Sequence, residues 1–242
     1  LWREPALDLA DLHWYLRPAW GPLWTDAAAA VLDRAALLRR STTDRPALLS
    51  EFGLAEDHWR HSPWMRQDTA LLHLHDALWA SALSGLAGTA MFWWWETLEE
   101  MGAERHYAPL AKFLEGFNWT SGVQPLRAEV PSALLWAGLK VPGDLRMWLR
   151  ARDATWYREV VERSSPGLTK GTRIRLQGET GTWRIEWFDP SSGETLRRDT
   201  TAAESEQLSL EVPPFLRDIA VRASLVRNTS TGRAASHPRS TE

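Results

Sequence analysis

The sequence predicts an α/β region with parallel strands, followed by an all-β region folded as an antiparallel β-sandwich. Three observations predict it. Up to about residue 120, short apolar runs alternate with helical patterns, which is the order of parallel strands joined by crossover helices. Beyond residue 120 the runs are short, several alternate polar with apolar, and turn signals such as Pro142-Gly143, Pro166-Gly167 and Asp189-Pro190-Ser191-Ser192-Gly193 separate them. The 242 residues, 44% of them hydrophobic, suffice for a real core in each part.

In order, "LADLHWYL" (residues 9–16) reads as a strand. Residues 25–41 read as a helix, with Thr25 as N-cap and Arg39 and Arg40 in the last turn. "PALLSEF" is the second strand, and residues 62–85 form one long helix with a Ser-Pro start and a Gly stop. "GTAMFWWW" is a third strand, and a last helix begins near His106. "ALLWAGL", "DLRMWLRAR", "ATWYREVV", "GTRIRLQGE", "TWRIEWFDP", "ETLRRDT", "EQLSLEVP" and "RDIAVRASLV" supply the antiparallel strands. These readings divide the chain into 1–120, 121–227 and a polar tail, 228–242, expected to be disordered.

Composition narrows the function. The 28 basic and 31 acidic residues give a net charge of -3, with no basic patch for nucleic acid. The longest apolar stretch, residues 77–95, is broken by Ser81, Ser84, Gly85 and Gly88, so no membrane span is expected. With no cysteine, disulfides and Cys-based zinc sites are excluded. His58-x-x-His61 has no defined third ligand, so neither metal nor cofactor is expected. Sixteen tryptophans exceed what an ordinary core needs, and indole faces stack on sugar rings. In parallel α/β folds functional groups sit at the C-terminal ends of strands. The first strand ends in His13-Trp14-Tyr15, the second in Glu51, the third in Trp93-Trp94-Trp95-Glu96. Alternation puts Trp93 and Trp95 on one side and Trp94 on the other.

These three strand ends, in this order, resemble the end of a clan A retaining glycoside hydrolase, close to family 5 and cellulase- or mannanase-like. "SEFG" (residues 50–53) resembles the context of that family's nucleophile, His13-x-Tyr15 its sixth strand end, and "MFWWWE" its eighth. The resemblance implies the last three β/α units of a (β/α)8 TIM barrel with an appended β-sandwich. It implies Glu51 as nucleophile, the Tyr15 hydroxyl on it, His13 lining the neighbouring subsite, and Trp93, then Trp95, as sugar platforms. Trp59 and His58 lie in a loop that either overhangs the cleft or stays in solvent, and Glu96 at the rim either reaches sugar hydroxyls or starts the following loop. It further implies a carbohydrate substrate and an extracellular or periplasmic, secreted protein.

One departure stands out. Retaining hydrolysis needs two carboxyl groups about 5–5.5 Å apart, and the family's acid/base is a Glu preceded by Asn. No Asn-Glu pair occurs in the 242 residues. The expectation is a fragment that carries the nucleophile, lacks the acid/base, and is inactive without a missing N-terminal barrel segment of the same protein. The rival is a non-catalytic carbohydrate- or surface-binding protein built on the sandwich, recognisable by exposed, aligned rings among Trp148, Trp156, Trp183 and Trp187.

Overall fold

The computed structural model describes residues 2, 4, 6–42 and 45–226. The tail expected to be disordered, 228–242, lies outside them, as does residue 227.

Strand β1 (Ala10–Leu16) and strand β2 (Ala47–Leu54) pair in parallel. Helix α1 (Ala27–Ser41) connects them and buries Ala27, Ala28, Ala30, Val31, Ala35 and Leu38. Its cap is Asp26 rather than Thr25. The Asp26 carboxylate accepts the Ala29 N–H at 3.0 Å, whereas the Thr25 hydroxyl turns back to donate to the Pro22 carbonyl. The second strand also runs on to Leu54, so Glu51 lies within it rather than at its end.

The single helix expected over 62–85 is two helices, α2 (Trp64–Gln67) and α3 (Leu72–Ala82). Asp68 causes the break. Its buried carboxylate accepts the N–H groups of Leu72 and His73, both at 2.9 Å, and sits 2.6 Å from His73 Nδ1. A new helix start is thereby satisfied inside the apolar run, which periodicity alone does not reveal. Leu71, at φ 52, makes the turn.

The third parallel strand is not formed as a ladder. Among the described residues one bridge, Phe92 to Phe52, joins it to β2, with backbone hydrogen bonds from Phe52 N–H to the Met91 carbonyl (2.8 Å), Trp93 N–H to the Phe52 carbonyl (2.7 Å), Met91 N–H to the Leu49 carbonyl (3.0 Å) and Ala87 N–H to the Ala47 carbonyl (2.9 Å). Trp94 then adopts φ 56, and the chain enters helix α4 (Trp95–Glu100), absent from the sequence reading. Helix α5 (Glu104–Leu114) follows, starting two residues before His106.

From here the strands are β3 (Gln124–Pro125), β4 (Ala128–Glu129), β5 (Leu134–Val141), β6 (Asp144–Ala151), β7 (Thr172–Gln177), β8 (Gly181–Phe188), β9 (Thr195–Ala203), β10 (Gln207–Val212) and β11 (Asp218–Leu225). They form two antiparallel sheets, ordered β3-β5-β6-β11-β8-β9 and β10-β7-β4. "ATWYREVV" is the exception, a π-helical turn at Tyr157–Val161. Thr155 Oγ1 accepts the Arg158 N–H at 3.2 Å, and Arg158 reaches Glu162 one turn on at 3.6 Å. Trp156 and Tyr157 both pack edge-on against Trp24.

Strand β6 shows how the parts join. Leu145, Met147 and Leu149 enter a buried cluster with Ile174, Leu176, Leu208 and Leu210 of the smaller sheet. The alternate face carries Trp148, which belongs to the same buried cluster as Trp79 and Phe113 of the helical region, together with Trp156, Phe188 and Ala220. The six-stranded sheet is thus covered on both faces, and the apolar core is continuous across residue 120.

Candidate functional site

The site is built on β1 and β2. Ala10, Leu16, Leu49, Phe52 and Leu54 are buried in the core. The other face of β1 presents Asp11, His13 and Tyr15 by simple alternation. Glu51 does not follow so simply. Strict alternation from Ala47 and Leu49 would turn Glu51 inward with them. The register prevents this: Asp11 pairs with Leu48 but His13 pairs with Glu51, so β2 spends one more residue than β1 across that step. This β-bulge at Leu49-Ser50 resets the alternation. Phe52 and Leu54 now point into the core, and Glu51 joins His13 and Tyr15 on the open face. Re-aiming one side chain is a recognised consequence of a bulge.

The groups meet closely there. The Tyr15 hydroxyl donates to Glu51 Oε2 at 2.7 Å. His13 Nδ1 lies 3.1 Å from the same oxygen, and His13 Nε2 lies 3.4 Å from Asp11 Oδ2. Among the described residues no hydrogen bond reaches Glu51 Oε1. The Glu51 side chain is 26% exposed. Ionisation of the Tyr15 hydroxyl is pushed above its ordinary range, first by burial, then by its hydrogen bond to Glu51 and by that carboxylate's charge. Tyr15 therefore remains a neutral donor, and its proton stays directed at Glu51.

Aromatic rings wall this face. Trp94 packs on Tyr15 with ring centroids 5.5 Å apart. The approach requires Gly53, because a Cβ there would meet Trp94 Cζ3 at 3.0 Å. The glycine of "SEFG" is thus explained by a ring that crosses the backbone. Trp59 meets Tyr15 edge-on at 5.9 Å and Trp20 at 5.5 Å. The Arg17 guanidinium lies 4.2 Å from the Trp59 ring centre and donates to the Asp57 carbonyl at 2.7 Å.

Of the residues expected from sequence, Glu51, His13, Tyr15 and Trp59 converge. Trp93 and Trp95 are 49% and 59% exposed, and neither joins the ring contacts around Tyr15. Glu96 is exposed in the first turn of α4, where a carboxylate complements the helix dipole. His58 is exposed in the turn beside Trp59. Sequence reasoning missed Asp11, Arg17, Trp20 and Trp94. Asp11 was readable as the residue two before His13, hence on its face. Trp94 was not, because its position depends on a left-handed backbone.

Trp148, Trp156, Trp183 and Trp187 are all buried to 1% exposure or less, so none offers a ring face to solvent. A cavity of about 470 Å³ lined by Arg39, Ala47, Trp119 and Leu139 lies at the opposite end of β2 from Leu54. Among the described residues no helix is long and apolar enough to cross a membrane.

No protein-family model matches this chain, and no curated protein matches it. Solved structures similar to this chain include glycoside hydrolases. One is a family 5 glycoside hydrolase from Bacteroides vulgatus, with 10% identity and a TM-score of 0.47 over 80% of this chain and 45% of that one. A second is a family 30 endoxylanase from Clostridium papyrosolvens, with 11% identity and a TM-score of 0.46 over 91% and 49%. A third is a family 44 xyloglucanase from Paenibacillus polymyxa, with 13% identity and a TM-score of 0.47 over 91% and 47%. The chain spans just under half the length of each of these structures.

Proposed function

We propose that this chain carries the nucleophile side of a retaining glycoside hydrolase active site, on the last three β/α units of a TIM barrel followed by a β-sandwich. One observation carries the reading. Glu51 is held by Tyr15 and His13 through a single oxygen, Oε2, on a half-open face walled by aromatic rings. A carboxylate so held has one oxygen anchored and the other directed outward, as nucleophilic attack requires.

In the proposed reaction Oε1 attacks the anomeric carbon of the sugar. The C–O bond to the leaving group breaks as a bond to Glu51 forms, and a second carboxyl group gives its proton to the departing oxygen. Water then attacks the same carbon, loses a proton to the second carboxyl group and frees Glu51. The Tyr15 proton supports the carboxylate in both steps. The second carboxyl group is proposed to come from outside these residues, and a poly- or oligosaccharide is the proposed substrate, met outside the cytoplasm. The rival reading, a binding protein whose sandwich stacks sugars on aligned tryptophans, finds the four relevant rings in the core.

An activated leaving group needs no acid, so the test requires only this chain. A panel of 2,4-dinitrophenyl glycosides should give a stoichiometric burst of dinitrophenolate that Glu51→Gln abolishes. A burst of equal size from Glu51→Gln would refute the assignment.

A further inference from the structure

The bulge that turns Glu51 outward leaves a backbone donor, the Ser50 N–H, out of the β1–β2 ladder. Asp11 takes it: its Oδ1 accepts the Ser50 N–H at 3.3 Å across the strands. Its other oxygen, Oδ2, lies 3.4 Å from His13 Nε2. One carboxylate therefore touches both devices that present Glu51. It occupies the donor that the bulge frees, and it backs the imidazole whose far nitrogen reaches Glu51 Oε2. We propose that Asp11 is the positioning residue of this site: it fixes the bulge at Leu49-Ser50 and the His13 ring, and through them sets the direction of Glu51.

A two-stranded pair loses one ladder bond to a bulge, and the regular register would recover it. In that register Glu51 would sit on the core side, beside Leu49 and the helices, where an unpaired carboxylate is costly. Asp11 removes the incentive to revert, because the freed N–H already has an acceptor. Asp11 does not touch the reacting atoms, and its side chain is 41% exposed, so its effect is directional rather than a large contribution to stability.

The proposal concerns how Glu51 is aimed. It deepens the nucleophile reading, yet its test needs no sugar, so the two can fail separately. Three variants would be compared at neutral pH by NMR: Asp11→Ala, Asp11→Asn and Glu51→Gln. The Tyr15 ring Cζ shift reports the hydrogen bond to Glu51, and Glu51→Gln sets the value for a lost carboxylate. Asp11→Ala should move the Tyr15 signal most of the way to that value and speed Ser50 amide exchange about tenfold. Asp11→Asn keeps an oxygen for the Ser50 N–H while losing the charge. It should retain slow Ser50 exchange and leave the Tyr15 signal near that of the unsubstituted protein. All three should melt close to the parent. The proposal is overturned if Asp11→Ala changes neither signal. It is overturned equally if Asp11→Asn matches Asp11→Ala in both, since the charge alone would then explain the effect. If Asp11→Ala melts far below the parent, the comparison of Asp11→Asn with Glu51→Gln decides by the same criteria.

Discussion

Two polar networks in this molecule are both built around carboxylates and lead opposite lives. One is the open chain Asp11–His13–Glu51–Tyr15 on the face of β1 and β2. The other lies in the seam between the helices and the six-stranded sheet. There Arg150 donates to Asp76 at 2.7 Å and to Asp26 at 2.6 Å, Arg217 donates to Asp76 at 2.6 Å, and Arg217 also pairs with Glu159. Beside it, Asp218 Oδ2 accepts the Trp148 indole N–H at 2.8 Å and lies 2.7 Å from His75 Nε2. Asp76 is wholly buried and both its oxygens are taken. Glu51 is part exposed and one oxygen is taken. The seam's own arginines occupy both Asp76 oxygens, so this carboxylate ties two regions together. The open network has capacity left over, so it can act on something else. The number of oxygens already taken, rather than the presence of charge, separates the Asp76 carboxylate from that of Glu51.

The sharpest way to break that contrast is to remove a carboxylate from the seam. Asp76→Ala leaves Arg150 buried without one partner and should cost about 3–5 kcal/mol in denaturant unfolding. A loss below about 1 kcal/mol would mean that Asp76 does not hold the seam. A smaller effect is expected where the open site meets its ring wall. Gly53→Ala forces a Cβ onto Trp94 and should cost about 1–3 kcal/mol. It should also shift the Tyr15 and Trp94 ring signals together, and unchanged rings would rule out the close approach.

The seam also predicts a pH dependence. His106 sits with its Nδ1 3.3 Å from His75 Nδ1. Burial first, then the charges of His75 and Arg105, lower it from 6.5 to about 4. The folded protein thus refuses a proton that the unfolded chain accepts between those values. Stability should rise as pH climbs from about 4 to 6.5 and level off above. The full shift would be worth about 3 kcal/mol, reduced to roughly 1–2 kcal/mol because the ring is part exposed. Measuring unfolding of the parent against His106→Asn over this range isolates the effect. A constant difference between them would contradict it.

Legibility from sequence followed the same divide. The parallel start, the antiparallel end and the trio Glu51, His13 and Tyr15 were readable, because strand patterns and strand ends are local features. The break at Asp68 was not, since a buried capping carboxylate looks like any acidic residue in a helical run. The turn at Tyr157–Val161 was hidden because its apolar residues mimic alternation. The bulge at Leu49-Ser50 was hidden because it depends on β1 for its register, and with it went the role of Asp11. The sequence reading placed Glu51 on the rim by ending the strand at it; the structure places it on the open face by a bulge inside a longer strand. The ring beside Tyr15 is Trp94, which a left-handed backbone swings over Gly53.

The smallest expected effect on stability is at the residue with the largest proposed effect on chemistry. Glu51→Gln should change unfolding free energy by no more than about 0.5 kcal/mol, in contrast to Asp76→Ala. The most direct test of the account is to map the covalent product. The chain would be incubated with activated 2-deoxy-2-fluoro glycosides and digested for peptide mass spectrometry. The account predicts one sugar on the peptide containing Glu51, absent from the folded Glu51→Gln protein. A sugar attached at another carboxylate, or labelling that survives Glu51→Gln, would contradict it.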